Sequence, residues 1–132
     1  MSKIFLIAGS VAAGLAVVLG AFGAHALKTK LLPDQLLVFE TGIRYQMYHA
    51  FALLLLFLGS EKLNISFIQY SGWFFISGIV LFSGSLYLLS CKDLLGLDSF
   101  RKIIGPITPI GGLCFLLGWG FLAFATIKNN IK

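Results

Sequence analysis

Apolar residues fall into four stretches, and three of them are long runs. Residues 4–26, 67–91 and 108–127 each approach the twenty or so apolar positions that a helix needs to cross about 30 Å of hydrocarbon. The second stretch is different. Its clean apolar run covers only residues 50–58, too short to span alone. Extending it back from Gly59 brings in Glu40, Thr41, Arg44, Gln46 and His49. At about 1.5 Å per residue, His49 then lies on the order of 15 Å from the interface, near mid-bilayer. Pro33-Asp34 is a helix start, with proline where no amide donor is needed and an acid at the positive end of the dipole. Leu36, Phe39, Ile43, Met47 and Phe51 fall at helical spacing and predict the apolar stripe of this helix. The pattern predicts an all-α polytopic membrane protein. It is one four-transmembrane-helix bundle over residues 1–132, with short loops and spans at about 4–26, 34–59, 67–91 and 108–127.

Composition agrees with the bilayer as solvent. The chain has 132 residues, 58% hydrophobic and 11% charged, whereas soluble domains are about half apolar and about a quarter charged. The net charge of +5 comes from lysines and arginines between and beyond the apolar runs, where they anchor at headgroups. No basic stripe with interleaved aromatics exists outside the spans, which argues against nucleic acid. Cys91 and Cys114 have neither zinc-ligand nor disulfide-framework spacing. Lys3 followed by an apolar run and Ala24-His25-Ala26 is reminiscent of a cleavable signal, but the run exceeds a signal's apolar core and reads as a retained first span. Six basic residues after spans one and three against four on the other side tip both termini outside the cytoplasm. The margin falls to one if Arg44 is embedded.

Four spans bring the end of the first, the start of the second, the end of the third and the start of the fourth to one membrane face. His25, Glu40, Arg44, Gln46, Tyr48, His49, Ser85, Tyr87 and Thr108 all belong to that half, and a one-sided polar pocket follows if they face inward. Glu40 and Arg44, four apart with the acid first, suit an ion pair. That pair reads as a gate or as a structural contact. His25 and His49 read as ligands, as a proton relay or as hydrogen-bonded packing residues. Two histidines are too few for a closed zinc site, so neither metal nor cofactor is expected. The stretch Gly105-Pro106-Ile107-Thr108-Pro109-Ile110-Gly111-Gly112 reads as an unwound helix start over a ligand or, more plainly, as a sharp turn into the fourth span. Gly9, Ala13, Ala16, Gly20 and Gly23, with Ser71, Gly78 and Ser85, predict close helix contacts. Trp73 and Trp119 read as interface anchors or as packing residues.

Five motifs in order carry a resemblance: Gly20-Ala21-Phe22-Gly23-Ala24-His25-Ala26-Leu27, Phe39-Glu40-Thr41-Gly42-Ile43-Arg44-Tyr45-Gln46-Met47-Tyr48-His49-Ala50, Phe82-Ser83-Gly84-Ser85-Leu86-Tyr87, the Gly105–Gly112 stretch above, and Gly118-Trp119. Over nearly the whole chain the sequence resembles the YgdD/YwdK-type family of small four-span bacterial membrane proteins, a domain of unknown function. The resemblance implies the four-span architecture and a plasma-membrane location, and it carries no established activity or catalytic residues. Gly42 stands where alanine is more usual, a change expected to loosen the helix beside Arg44.

The functional expectation is a non-enzymatic, homo-oligomeric membrane protein. It would bind or pass a small polar or ionic solute through the one-sided pocket, with Arg44, His49 and His25 as working groups. The alternative is a structural or assembly partner of other membrane proteins. No catalytic triad order, paired-carboxylate site or metal motif speaks for an enzyme; only a lipid-modifying activity with His49 as base would fit.

Overall fold

The computed structural model describes residues 3–129, which contain helices and turns and no strand. Four long helices dominate: α1 (Lys3–Leu27), α2 (Pro33–Gly59), α3 (Ile65–Ser90) and α4 (Ile107–Asn129). α1, α3 and α4 with the turns before it are long and apolar enough to cross a membrane. α2 is not among them, although its 27 residues reach about 40 Å. Asp34, Glu40 and Arg44 sit in its first half and dilute its hydropathy. Length and composition therefore single out three helices where the sequence pattern predicted four spans.

Local chemistry sets the helix starts. At α2, Gln35 reaches back to accept the Leu32 amide at 3.0 Å, Pro33 removes a donor the first turn cannot use, and Asp34 faces the dipole. At α3, the Asn64 side chain accepts from the Ser66 and Phe67 amides at 3.2 and 3.3 Å. The cap puts the start at Ile65, two residues before the onset read from hydropathy. Two helices contain a π turn: Gly23–Leu27 ends α1, and Ile79–Ser83 interrupts α3.

The chain runs up, down, up and down. Gly9 lies against Ala50 and Gly23 against Phe39, which makes α1 and α2 antiparallel. Gly42 meets Tyr87 while His49 meets Phe75, so α2 and α3 are antiparallel as well. Ser71 bonds Gly118 and Ser85 bonds Thr108, which sets α4 antiparallel to α3. The main core lies away from the polar end and gathers Phe5, Leu53, Leu56, Ile68, Phe75, Phe115 and Ala125.

The buried face of α2 is not the predicted stripe. Phe39, Gly42, Gln46, His49, Ala50, Leu53 and Leu56 are buried, whereas Ile43 and Met47 are half-buried and Phe51 faces outward. The apolar stripe of a soluble helix seeks the core. In α2 the inward face mixes Phe39, Leu53 and Leu56 with Gly42, Gln46 and His49, whose close contact and hydrogen-bond partners lie on that side.

Small residues let α3 and α4 approach closely. A Cβ at Gly78 would fall 2.3 Å from the Phe115 ring, and one at Gly118 would fall 2.6 Å from the Phe75 ring, so the helices interlock reciprocally. At Gly111 a Cβ would meet the Phe82 main chain at 2.3 Å, which no rotamer can relieve. On α1, Gly9 and Ala16 are buried against α2 and Gly23 against Phe39, and Ala13 is half-buried. Gly20 departs from the expected stripe: nothing lies within 4 Å of its Cβ position.

Residues 92–107, read as a plain loop, fold into helical turns at Lys92–Leu95, Asp98–Phe100 and Arg101–Ile104. Gly96, at φ 68°, closes the first of them in the left-handed conformation that glycine adopts without strain. α4 then starts regularly at Ile107, and Pro106 and Pro109 sit where helix amides have no partner to lose. The stretch is a sharp turn into a helix, not an unwound segment.

Replacing Gly111 by alanine should cost about 1–3 kcal/mol of stability in detergent, because backbone must move to admit the methyl group. Gly20→Ala should instead raise stability by up to about 1 kcal/mol, because the methyl group meets nothing and alanine is the better helix former. Thermal unfolding followed by circular dichroism checks both, and equal losses would contradict the packing described.

Candidate functional site

The polar residues of the expected pocket divide into three small networks and an outward-facing remainder. In the first, the Tyr87 hydroxyl donates to Gln46 Oε1 at 2.6 Å and Gln46 Nε2 donates to the Ala12 carbonyl at 2.8 Å, tying α3, α2 and α1 together. Ser83, at the end of the π turn, donates to the Gly42 carbonyl at 2.7 Å. A Cβ at Gly42 would lie 2.7 Å from the Tyr87 ring. The glycine therefore admits a close ring contact between α2 and α3.

The second network centres on His49. Its Nδ1 lies 2.7 Å from the Tyr45 carbonyl, which only accepts, so Nδ1 carries the proton. The Trp119 indole N–H only donates, and it bonds Nε2 at 3.1 Å. The neutral Nδ1–H tautomer satisfies both partners, and Phe115 stacks on the ring at 3.5 Å and 8°. Trp119 is thus a packing residue whose polar edge points inward. In the third network Ser85 donates to the Phe82 carbonyl at 2.9 Å, so Thr108 is the donor in the 2.6 Å Ser85–Thr108 bond.

The remaining candidates do not join these networks. His25, in the π turn of α1, is exposed, whereas His49 is buried. Tyr48 is also exposed. Arg44 is exposed and donates to the Thr41 hydroxyl at 3.1 Å, while Thr41 donates to the Leu37 carbonyl at 2.9 Å. The expected Glu40–Arg44 pair is not made: the ion pairs among the described residues all involve Lys92. The arginine reaches toward the start of its helix, along the direction helical side chains lean and toward the polar end of the bundle. The described residues contain no group of three or more His, Cys, Asp or Glu placed to hold a metal. Every buried side-chain polar atom among them has a hydrogen-bond partner.

An opening does exist at the polar end, built mainly from other residues. A cleft of about 550 Å³ lies between the start of α2, the end of α3 and the start of α4. Asp34, Gln35, Lys92 and Arg101 line it with Ser90 and Thr108, and apolar atoms make most of the wall. Thr108 is the one residue shared with the expected pocket. In the sequence Asp34 stands as a helix signal, and Lys92 and Arg101 count among the basic residues that bear on orientation. Their available signal was the concentration of Lys92, Asp93, Asp98 and Arg101 in one connection.

A polar clamp holds the cleft's edge. Gln35 Nε2 donates to Asp93 at 2.7 Å, and Lys92 bridges Asp93 at 3.0 Å and Asp98 at 2.9 Å. Hydrogen bonds from Lys92 and then Gln35 hold the Asp93 carboxyl below its ordinary 3.8. Bonds to Asp98 and then Asp93 raise the Lys92 ammonium above its ordinary 10.5. Asp34 and Arg101 make no ion pair among the described residues.

Two outcomes follow. Tyr87→Phe should cost about 0.6–1.7 kcal/mol, the range for hydrogen bonds between membrane helices. Because Gln46 and Tyr87 share one bond, the Gln46→Met, Tyr87→Phe double variant should lose less than the sum of the singles, and additive losses in detergent unfolding would contradict the network. The clamp has a pH window. A depressed carboxyl contributes above its unfolded value and loses that contribution as pH falls through the folded one; the raised ammonium contributes below its unfolded value and loses it as pH rises through its folded one. Hydrogen exchange across residues 92–104, corrected for intrinsic rates, should rise below pH 3.8 and above pH 10.5, with a protected plateau between.

The comparisons with known proteins bear on the whole chain. The family described as "Protein of unknown function (DUF423)" matches residues 19–112. The chain is 43% identical to the UPF0382 membrane protein YwdK of Bacillus subtilis over 127 residues, covering 96% of this chain and 98% of the relative. A UPF0382 membrane protein of Staphylococcus epidermidis is 43% identical over 126 residues, covering 96% and 97% respectively. No solved structure matches the chain. With the family matched across its central two-thirds and relatives aligned nearly end to end, the chain belongs to the DUF423 family of UPF0382 membrane proteins, whose function is unknown.

Proposed function

We propose that the protein is a non-enzymatic, multi-pass plasma-membrane protein that binds a small polar or ionic solute in the cleft at its polar end. α2 is the fourth span in this reading. It lies antiparallel between two apolar helices along its length, so it crosses wherever they cross. Thr41 and the start of the helix draw Arg44 toward the interface, and the partners of Gln46 and His49 let the rest enter hydrocarbon.

The observation that carries the reading is the cleft's rim. One acid and two bases surround a space of about 550 Å³, and Asp34 and Arg101 have no ion-pair partner there. Charges of both signs beside an apolar wall suit a zwitterion or a small anion. Below the cleft the interior closes with His49, Phe115, Phe75 and Phe82 in ring contact, which favours binding over passage. A second reading, an assembly partner or homo-oligomer, draws support from Gly14 and Gly20, where α1 offers open space to an approaching helix.

Glycine, acetate and inorganic phosphate serve as probes in thermal-shift titrations of the purified protein. At least one should stabilise it, and Arg101→Ala should weaken that probe about tenfold or more, the effect of one lost charge-assisted bond. An absence of stabilisation by all three, or an unchanged affinity in Arg101→Ala, would overturn the solute reading in favour of assembly.

A further inference from the structure

A second opening, sharing no lining residue with the cleft, runs along the outside of the bundle. α1 and α3 touch at one end, where the Phe5 ring lies against Gly72. Toward the polar end they part, and two adjoining cavities of about 460 and 480 Å³ fill the gap. Both are lined by Tyr87 and by residues of α1 and α3, so they follow one another as a groove along the α1/α3 seam. Its α1 wall steps through Ala8, Leu15, Leu19, Phe22 and Ala26 at helical spacing, facing Ile76, Val80, Gly84 and Leu88 of α3. Ala8 to Ala26 is about 27 Å along a helix, close to the about 30 Å depth of the hydrocarbon core.

Two observations indicate what occupies it. The first is Gly84. Glycine inside a helix costs about 1 kcal/mol relative to alanine and leaves room beside the main chain. Here nothing in the chain lies within 4 Å of the Cβ position, so no protein contact requires the glycine. Gly84 lines the groove and also a neighbouring opening toward Ile104 and Ile107. The second is Lys30, which lines the groove's end at the polar face and makes no ion pair among the described residues. An apolar channel of membrane depth ending at an unpaired cation has the chemistry of an anionic amphiphile.

We infer that the α1/α3 groove holds the hydrocarbon chain of an anionic membrane lipid, with the headgroup at Lys30. The inference is independent of the solute cleft, since either site can fail without the other.

The full-length protein, reconstituted into vesicles of equal parts phosphatidylglycerol and phosphatidylcholine and released in mild detergent, is tested by native mass spectrometry for retained lipid. The wild type should keep phosphatidylglycerol in preference to phosphatidylcholine. Lys30→Ala should lower that preference about fivefold, the effect of one basic group at a lipid surface. Gly84→Leu should fill the groove and reduce retention of both lipids, with helical circular dichroism unchanged. Val80→Trp, on the same wall and exposed, is the second filling variant should Gly84→Leu fail to fold. Equal retention of the two lipids by the wild type overturns the proposal, as does full phosphatidylglycerol retention in a folded filling variant. A dimer that the filling variants dissolve assigns the groove to a second copy of the chain and overturns it too.

Discussion

Gln46 and His49 lie between helices that are otherwise apolar, where no water can answer an unpaired polar group. That constraint organises much of the bundle. Each side chain needs partners supplied by its neighbours: Tyr87 and the Ala12 carbonyl for Gln46, and Trp119 for the free nitrogen of His49. Tyr87 can approach only because Gly42 lacks a side chain, and Ser83 covers the carbonyl beside it. The hydrogen bonds thereby fix how deeply α1, α3 and α4 seat against α2.

Dispersion does the rest. The reciprocal glycine–phenylalanine contacts of α3 and α4 bring main chains close enough for Ser71 to reach the Gly118 carbonyl. Lipid gives helices little hydrophobic reason to associate, so shape and paired polar groups carry the association. Polarity inside this protein is mostly structural. Charge at the polar end lies in the cleft and at Lys30.

Much of the architecture is legible in the residues themselves. Long apolar runs place α1, α3 and α4, and Pro33-Asp34 marks the start of α2. The concentration of polarity in one half follows from counting helices. Side-chain direction is less legible. Arg44 and Gln46 are two positions apart, yet one faces out and the other in, because each residue turns a helix by about 100°. The buried face of α2 is rotated from its apolar stripe, because Gly42, Gln46 and His49 find their close contact and hydrogen-bond partners beside it. His25 had no local signal for its direction, because a π turn displaces it. The cleft was missed because its charges lie on connections and helix ends, where they read as signals of orientation and capping.

The π turn in α3 has a bearing on how such a helix tolerates change. Whether a segment enters the membrane is decided by its hydropathy, which is blind to the order of residues within it. The π winding of Ile79–Ser83 adds nothing to hydropathy, yet it sets the angle at which Ser83 and Tyr87 leave the helix. The same residues wound as an unbroken α-helix would have the same hydropathy and would insert like their parent. They would arrive in the bilayer with their last turns aimed about 100° away from α2. Insertion and assembly in this helix therefore answer to different features of the same sequence.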